Sequence, residues 1–235
     1  MMTEKNVLTD AASGLASRGC VLFDFDGTLA DTRSGIVAVA REVLSDWGLT
    51  SEEIGDAGRI VGPPFPGAFS EVYGMSAADA AEVCRRYRKA YAELGPETHP
   101  LFPGIAHMLS VLAGSGRRLA VTTSKREPTA LAMLADDGVL DLFEVVVGQT
   151  DPARADKASL VADTLVALGT TSDDAVMVGD RFYDVEGARA NGVPCVGALF
   201  GTATRSELAD AGAVAIVESA DDLLTVLQGS VSHRA

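Results

Sequence analysis

The sequence is short of cysteine, of tryptophan and of positive charge, and it has no long apolar run; each shortage excludes something. The three cysteines, Cys20, Cys84 and Cys195, are scattered, odd in number and lack zinc-ligand spacing. They argue against a disulfide framework or a structural metal knot, and for buried apolar thiols. With 19 basic residues against 33 acidic ones, the formal net charge is -14. That balance opposes nonspecific attraction to nucleic acid or to an anionic membrane surface, so a small anionic ligand would need a local cationic pocket. No stretch is long enough to span a bilayer, and the opening residues Thr3, Glu4, Lys5 and Asn6 do not form a basic region ahead of an apolar one. A cytoplasmic protein is expected. Internal repeats and low-complexity tracts are also missing.

What is present reads as an α/β chain. A length of 235 residues suits one large domain or a core with a modest insertion. From Cys20 onward, short β-branched apolar runs alternate with helical spacing, the mark of a parallel sheet covered on both faces. The predicted strands are 20–23, 119–122, 145–147, 175–178, 194–197 and 213–216; the predicted core helices are 105–112, 129–134, 158–168 and 185–190. The interval 32–99 contains no convincing strand. It reads as a helix over 33–47, a short element after Ser51, a turn-rich patch at Gly62-Pro63-Pro64-Phe65-Pro66-Gly67 and a helix over 77–94. The expected organisation is therefore a core of 1–31 and 100–235 with an inserted all-α cap over 32–99. Open α/β sheets bind ligands at their strand ends, where such an insertion would close.

Four of the predicted strand and helix ends carry chemistry. In Cys20-Val21-Leu22-Phe23-Asp24-Phe25-Asp26-Gly27-Thr28 an apolar strand runs into two carboxylates at i and i+2, which an extended backbone points to one side. Two nearby anions repel unless a cation or a shared proton relieves them. Short oxygen ligands suit a hard cation such as Mg2+. An EF-hand does not fit, because an apolar strand precedes the loop and the glycine comes too early. The second end is Thr122-Thr123-Ser124-Lys125, three hydroxyls and a cation after an apolar strand. The third is Lys157 at a helix start, where an ammonium opposes the helix dipole but could meet an anion held by free amides. The fourth is Gly179-Asp180-Arg181, with Asp184 about one helical turn further on. Taken singly, these could be Asx turns, helix N-caps or a solvated lysine. All four together are much harder to explain that way.

Together the motifs resemble those of the haloacid dehalogenase-like hydrolase superfamily, in its phosphoglycolate phosphatase-like branch with a helical cap inserted after the first motif. The resemblance covers nearly the whole chain and implies a Rossmann-like core. It implies Asp24 as nucleophile forming an aspartyl-phosphate, and Asp26 as the acid and base that moves protons. It implies Mg2+ held by Asp24, the main-chain carbonyl of Phe25 and Asp180, with Asp184 supporting and Asp26 alongside in the metal set. Thr123 or Thr122, with Lys157, would complete the charge cradle, and Ser124 and Lys125 would lie at the substrate. The spacing to Lys125 favours Thr123, and Ser124 stands where relatives often have Asn. Arg59, in Arg59-Ile60-Val61-Gly62-Pro63-Pro64-Phe65, resembles a substrate-specificity contact of the cap. The partner implied is a small phosphorylated metabolite, with no nucleic acid and no membrane. A monomer or a homodimer, with the single Trp47 and apolar cap helices available to an interface, is expected. A phosphosugar mutase with the same core, and a catalytically silent binding module, are the alternatives. Asp26 argues against dehalogenation, since a departing halide needs no protonation.

Overall fold

The computed structural model describes residues 14–229 apart from 62, 64, 152, 153 and 155. The polar opening Thr3 to Asn6, the Gly62 and Pro64 positions of the turn-rich patch and Ala155 beside Lys157 lie outside the described residues. Two compact units are present: Asp31–Pro100, and a core made from the rest of the chain.

The core is built on six short strands: β1 (Cys20–Phe23), β2 (Arg118–Arg126), β3 (Val145–Gln149), β4 (Ala175–Gly179), β5 (Cys195–Ala198) and β6 (Ala215–Val217). All pair in parallel, in the order β3-β2-β1-β4-β5-β6. Strands this uniformly apolar need helices on both faces. Between and after them run α5 (Ile105–Gly114), α6 (Glu127–Asp136), α7 (Lys157–Leu168), α8 (Phe182–Ala190), α9 (Arg205–Ala211) and α10 (Ala220–Gln228). On one face Cys20, Leu22, Ala120, Met177 and Cys195 pack in one buried cluster with Val161 and Leu168 of α7, Val185 and Ala188 of α8, and Leu208 of α9. The alternate residues Val21, Phe23 and Val121 point the other way and are also fully buried. There α5, which packs against β2 and α10, buries Ile105, Met108, Leu109 and Leu112.

Register decides where the chemistry falls. Phe23 lies level with Val121 of β2 and Val178 of β4. One step further along the sheet, Asp24, Thr122 and Gly179 therefore lie side by side, at the carboxyl ends of β1 and β4 and within β2.

The second unit holds α1 (Arg33–Trp47), α2 (Ser51–Ile54), a 3-10 turn (Ala57–Ile60), α3 (Gly67–Tyr73) and α4 (Ala77–Tyr91), with no strand among its described residues. The 15-residue α1 and α4 pack together through Ile36, Val39, Val43 and Leu44 on one and Ala80, Val83, Cys84 and Tyr87 on the other. Side-chain caps start two of these helices. Thr50 and Glu53 form a reciprocal capping box at α2, and Ser76 accepts from the Asp79 amide at α4.

Several boundaries differ from those expected. The helix predicted over 77–94 ends at Tyr91, and α3 begins at Gly67, inside a patch read as turn. Strand β2 continues past Thr122 to Arg126, with a register break against β3 between those two residues. The helices α9 and α10 were not anticipated.

Candidate active site

The site begins where β1 ends. The Asp24 amide donates to Val178 O at 2.9 Å, which extends the ladder by one residue and fixes the backbone that carries this carboxylate. The chain then folds into a tight turn: Phe25 O accepts from the amides of Thr28 (3.3 Å), Leu29 (3.0 Å) and Ala30 (3.1 Å), and the Gly27 amide donates back to Ala30 O at 2.9 Å. Gly27 has φ +76°, where a side chain is strained, and a Cβ there would stand 2.2 Å from Asp180 Oδ2. The Phe25 carbonyl, which the resemblance named as a metal ligand, thus takes three amides of its own turn.

Lys157 sits at the other side of Asp24. It opens α7, behind an Asp156 N-cap that accepts from the Ser159 amide. Only 8% exposed, its ammonium donates to Thr122 O at 3.1 Å and pairs with Asp24 Oδ1 at 2.9 Å and Asp184 Oδ1 at 2.8 Å. Asp184 lies in the first turn of α8, where its other oxygen accepts from the Arg181 amide at 3.0 Å. Asp180 follows the end of β4, and its Oδ2 accepts twice from Thr202, from N–H at 2.8 Å and from O–H at 2.7 Å. Carboxylate oxygens of Asp24, Asp180 and Asp184 all lie within 4.8 Å of one another. The Asp26 side chain lies outside that group of carboxylates and pairs with Lys125 at 3.0 Å.

Three buried carboxylates facing one ammonium leave an excess of negative charge, and the proton affinities record it. Burial pushes Asp24 up to about 6, with Asp184 and Asp26 adding to the rise and Lys157 opposing it. Asp180 is pushed up to about 7, mainly by burial and then by Asp184 and Asp24, against the two Thr202 hydrogen bonds. On Lys157 burial disfavours the charge, yet Asp184 and Asp24 outweigh it and hold the ammonium above its usual range.

The two threonines left open by the sequence face different surroundings. Thr122 Oγ1 meets Thr164 Oγ1 at 2.9 Å inside the sheet-to-α7 packing, and Thr164 in turn donates to Leu160 O at 2.8 Å. What Thr122 offers the site is its carbonyl, to Lys157. Thr123 is turned the other way, and its hydroxyl oxygen accepts from the Lys125 amide at 3.2 Å. Ser124 follows, half-buried. Arg59 is an exposed residue of the 3-10 turn in the second unit. Two participants were missed. Thr164 sets the direction of the Thr122 side chain, and Thr202 grips Asp180 from 22 positions away in sequence.

The donor set fits a hard divalent cation. All the clustered ligand atoms are carboxylate oxygens, and Asp180 Oδ1 is buried without any hydrogen-bond partner. A buried acceptor is expensive to leave unpaired, and oxygen-only coordination is the preference of Mg2+.

Comparison with known proteins agrees with this arrangement. The sequence model of the haloacid dehalogenase-like hydrolase family matches residues 21–198, and the chain belongs to that family. Within it the chain falls on the phosphoglycolate phosphatase-like branch. It is 31% identical to a plasmid-borne phosphoglycolate phosphatase of Cupriavidus necator over 88% of this chain and 92% of that one. It is 32% identical to a 5′-nucleotidase of Pseudomonas aeruginosa, over 80% and 86% of the two chains. Identity reaches 40% with the tyrosine-protein kinase PtkA of Mycobacterium tuberculosis across 79% of this chain, which spans 64% of the length of PtkA. The solved structure of a predicted phosphatase from Clostridium acetobutylicum superposes with a TM-score of 0.84 at 33% identity, covering 88% of this chain and 97% of that one.

Proposed function

We propose that this protein is a Mg2+-dependent phosphatase of small phosphorylated metabolites, phosphoglycolate-like or sugar phosphate monoesters, that works through an aspartyl-phosphate on Asp24. The observation that carries the reading is the Asp24 carboxylate held by Lys157 beside the unpartnered oxygen of Asp180.

Each residue then has a task. Asp24 attacks phosphorus, forming a carboxylate O–P bond as the ester P–O bond breaks. Asp26, on the same side of the strand end, gives its proton to the departing alkoxide. It then takes one from the water that attacks phosphorus and breaks the bond to Asp24. All three ammonium donors of Lys157 are engaged, by Thr122 O, Asp24 and Asp184, so this residue fixes the nucleophile and contributes charge. The Thr123 hydroxyl accepts from an amide and retains its own proton to donate to a phosphoryl oxygen. When bound, Mg2+ supplies the positive charge that lets an anionic carboxylate meet an anionic phosphate.

The test is a phosphate-release panel of small phosphomonoesters, nucleoside 5′-monophosphates included, run with Mg2+ and with EDTA. Asp24→Asn serves as the blank. Near-normal release by that variant would exclude covalent catalysis at Asp24, and release untouched by EDTA would remove the metal. Conversion of a hexose 1-phosphate to the 6-phosphate in place of phosphate release would instead identify a mutase. A second reading rests on the 40% identity to PtkA: phosphoryl exchange with protein tyrosine. Incubation with ATP and a tyrosine peptide, followed by mass spectrometry of the peptide, separates it. Failure to trap a phosphoenzyme with any member of the panel would favour the silent-module alternative. A cytoplasmic setting accords with the described helices, none of which is long and apolar enough to cross a membrane.

A further inference from the structure

The geometry points to Thr202, on the loop between β5 and α9, as the residue that positions Asp180 for cation binding, so that this loop is part of the metal site. The inference rests on the Mg2+ reading above and adds a residue to it.

Two donors of one residue converge on one oxygen. The Thr202 amide and hydroxyl both reach Asp180 Oδ2, at 2.8 and 2.7 Å. That oxygen is thereby satisfied, while Oδ1 is left buried and unpartnered on a residue whose carboxylate clusters with those of Asp24 and Asp184. The carboxylate is thus fixed in rotation, with a chosen oxygen left for the cation. A group that only neutralised a buried carboxylate would have no reason to spend both donors on the same atom.

The packing around Asp180 removes the remaining freedom. A Cβ at Gly201 would stand 2.2 Å from Gly27 O and 2.4 Å from Asp180 Cβ, and one at Gly27 would stand 2.2 Å from Asp180 Oδ2. Two glycine backbones therefore close on the carboxylate from the turn after β1 and from the loop after β5. The loop is itself tied down at both ends. Phe200 packs edge-on against Phe102 with ring centroids 5.2 Å apart. At its other end Thr204 caps α9 by accepting from the Glu207 amide at 3.2 Å, and Glu207 pairs with Arg181, the neighbour of Asp180, at 2.8 Å. A residue that orients a ligating carboxylate in this manner typically affects metal affinity 10–100-fold.

The measurement is calorimetric titration of Mg2+ alone into EDTA-stripped protein near pH 7.5, for the wild type, Thr202→Val, Thr202→Ala and Thr202→Ser, with metal-free melting temperatures alongside. Loss of the hydroxyl in Thr202→Val is expected to weaken Mg2+ binding about 10–100-fold, and Thr202→Ser, which keeps both donors, to retain wild-type affinity. Should Thr202→Val fail to fold, Thr202→Ala carries the same comparison. Wild-type Mg2+ affinity in the hydroxyl-free variant overturns the assignment, even if its metal-free form melts lower, because that pattern marks a structural bond only. Equal weakening in Thr202→Ser overturns it too. A wild-type chain that takes up no Mg2+ sinks the metal reading itself, whereas normal wild-type binding with an unaffected Thr202→Val sinks only the role of Thr202.

Discussion

Removing the metal should give this fold an unusual dependence on pH, and the site geometry sets its sign and size. Asp180 and Asp24 hold their protons in the folded state up to about 7 and about 6, while in the unfolded chain both lose them near 4. Between those values the folded state binds protons that the unfolded state has released. Stability from these two groups is therefore greatest near pH 4, falls as pH rises towards 7, and is level above that. At 1.36 kcal/mol per pH unit, the rise of Asp180 from the ordinary carboxylate range to about 7 corresponds to about 4 kcal/mol. The Asp24 contribution is smaller and not independent, since the Asp24 charge is among those that raise Asp180. Lys157 does not alter the slope, because its raised pKa keeps it charged throughout this window. For a chain of this length about 4 kcal/mol moves the melting temperature by on the order of 10 °C. The assay is melting by circular dichroism in EDTA from pH 4.5 to 8, for wild type and Asp180→Asn. The neutral amide removes the titration, so the wild-type melting temperature should fall relative to that variant as pH rises. Added Mg2+ should restore it at pH 7.5 and have little effect at pH 4.5. Parallel curves for the two proteins would refute the reasoning.

Three other outcomes follow from the same contacts. Lys157→Met should abolish turnover and cost about 3–5 kcal/mol in urea unfolding at pH 7, since it strands two buried carboxylates and the Thr122 carbonyl. Thr122→Val should lose roughly 1 kcal/mol with its bond to Thr164 yet keep turnover within a few-fold, whereas Thr123→Val should lower turnover at nearly unchanged stability. Asp26→Asn should reduce phosphate release about 10²–10⁴-fold while Mg2+ affinity by calorimetry stays near wild type, because its carboxylate lies outside the clustered group.

The central strands were legible because their signal is purely local. The apolar run 20–23 is the strand Cys20–Phe23 residue for residue, and polar residues at each strand end marked the site before any pairing was known. Local chemistry also misled. The patch 62–67 looked like turn throughout because Gly and Pro dominate it, yet Gly67 already belongs to α3, whose Phe69 is fully buried. At α9 and α10 the start signals were present and unread: Thr204 with Glu207, and Ser219 with Asp222, each spaced as a cap and its third helical residue. The Phe25 carbonyl could not be read from sequence, because its fate depends on how the turn closes over it. Nor could Thr202, whose importance comes from a loop brought back to β4 by the pairing of β5.

Strand order has a further consequence, for the time at which this enzyme becomes active. Asp24, the proposed nucleophile, follows directly on β1, and β1 lies between β2 and β4, so Asp24 meets Lys157, Asp180 and Asp184 only after segments more than 130 residues apart have joined. Pairings at such separation close late, because the entropy of a long loop must be overcome first. A nascent chain lacking the stretch from β4 onward carries the first motif and Lys157 but neither Asp180 nor Asp184. Recovery of phosphate release during refolding would therefore report completion of the central sheet, and no partly folded precursor of this protein would cleave phosphate esters ahead of it.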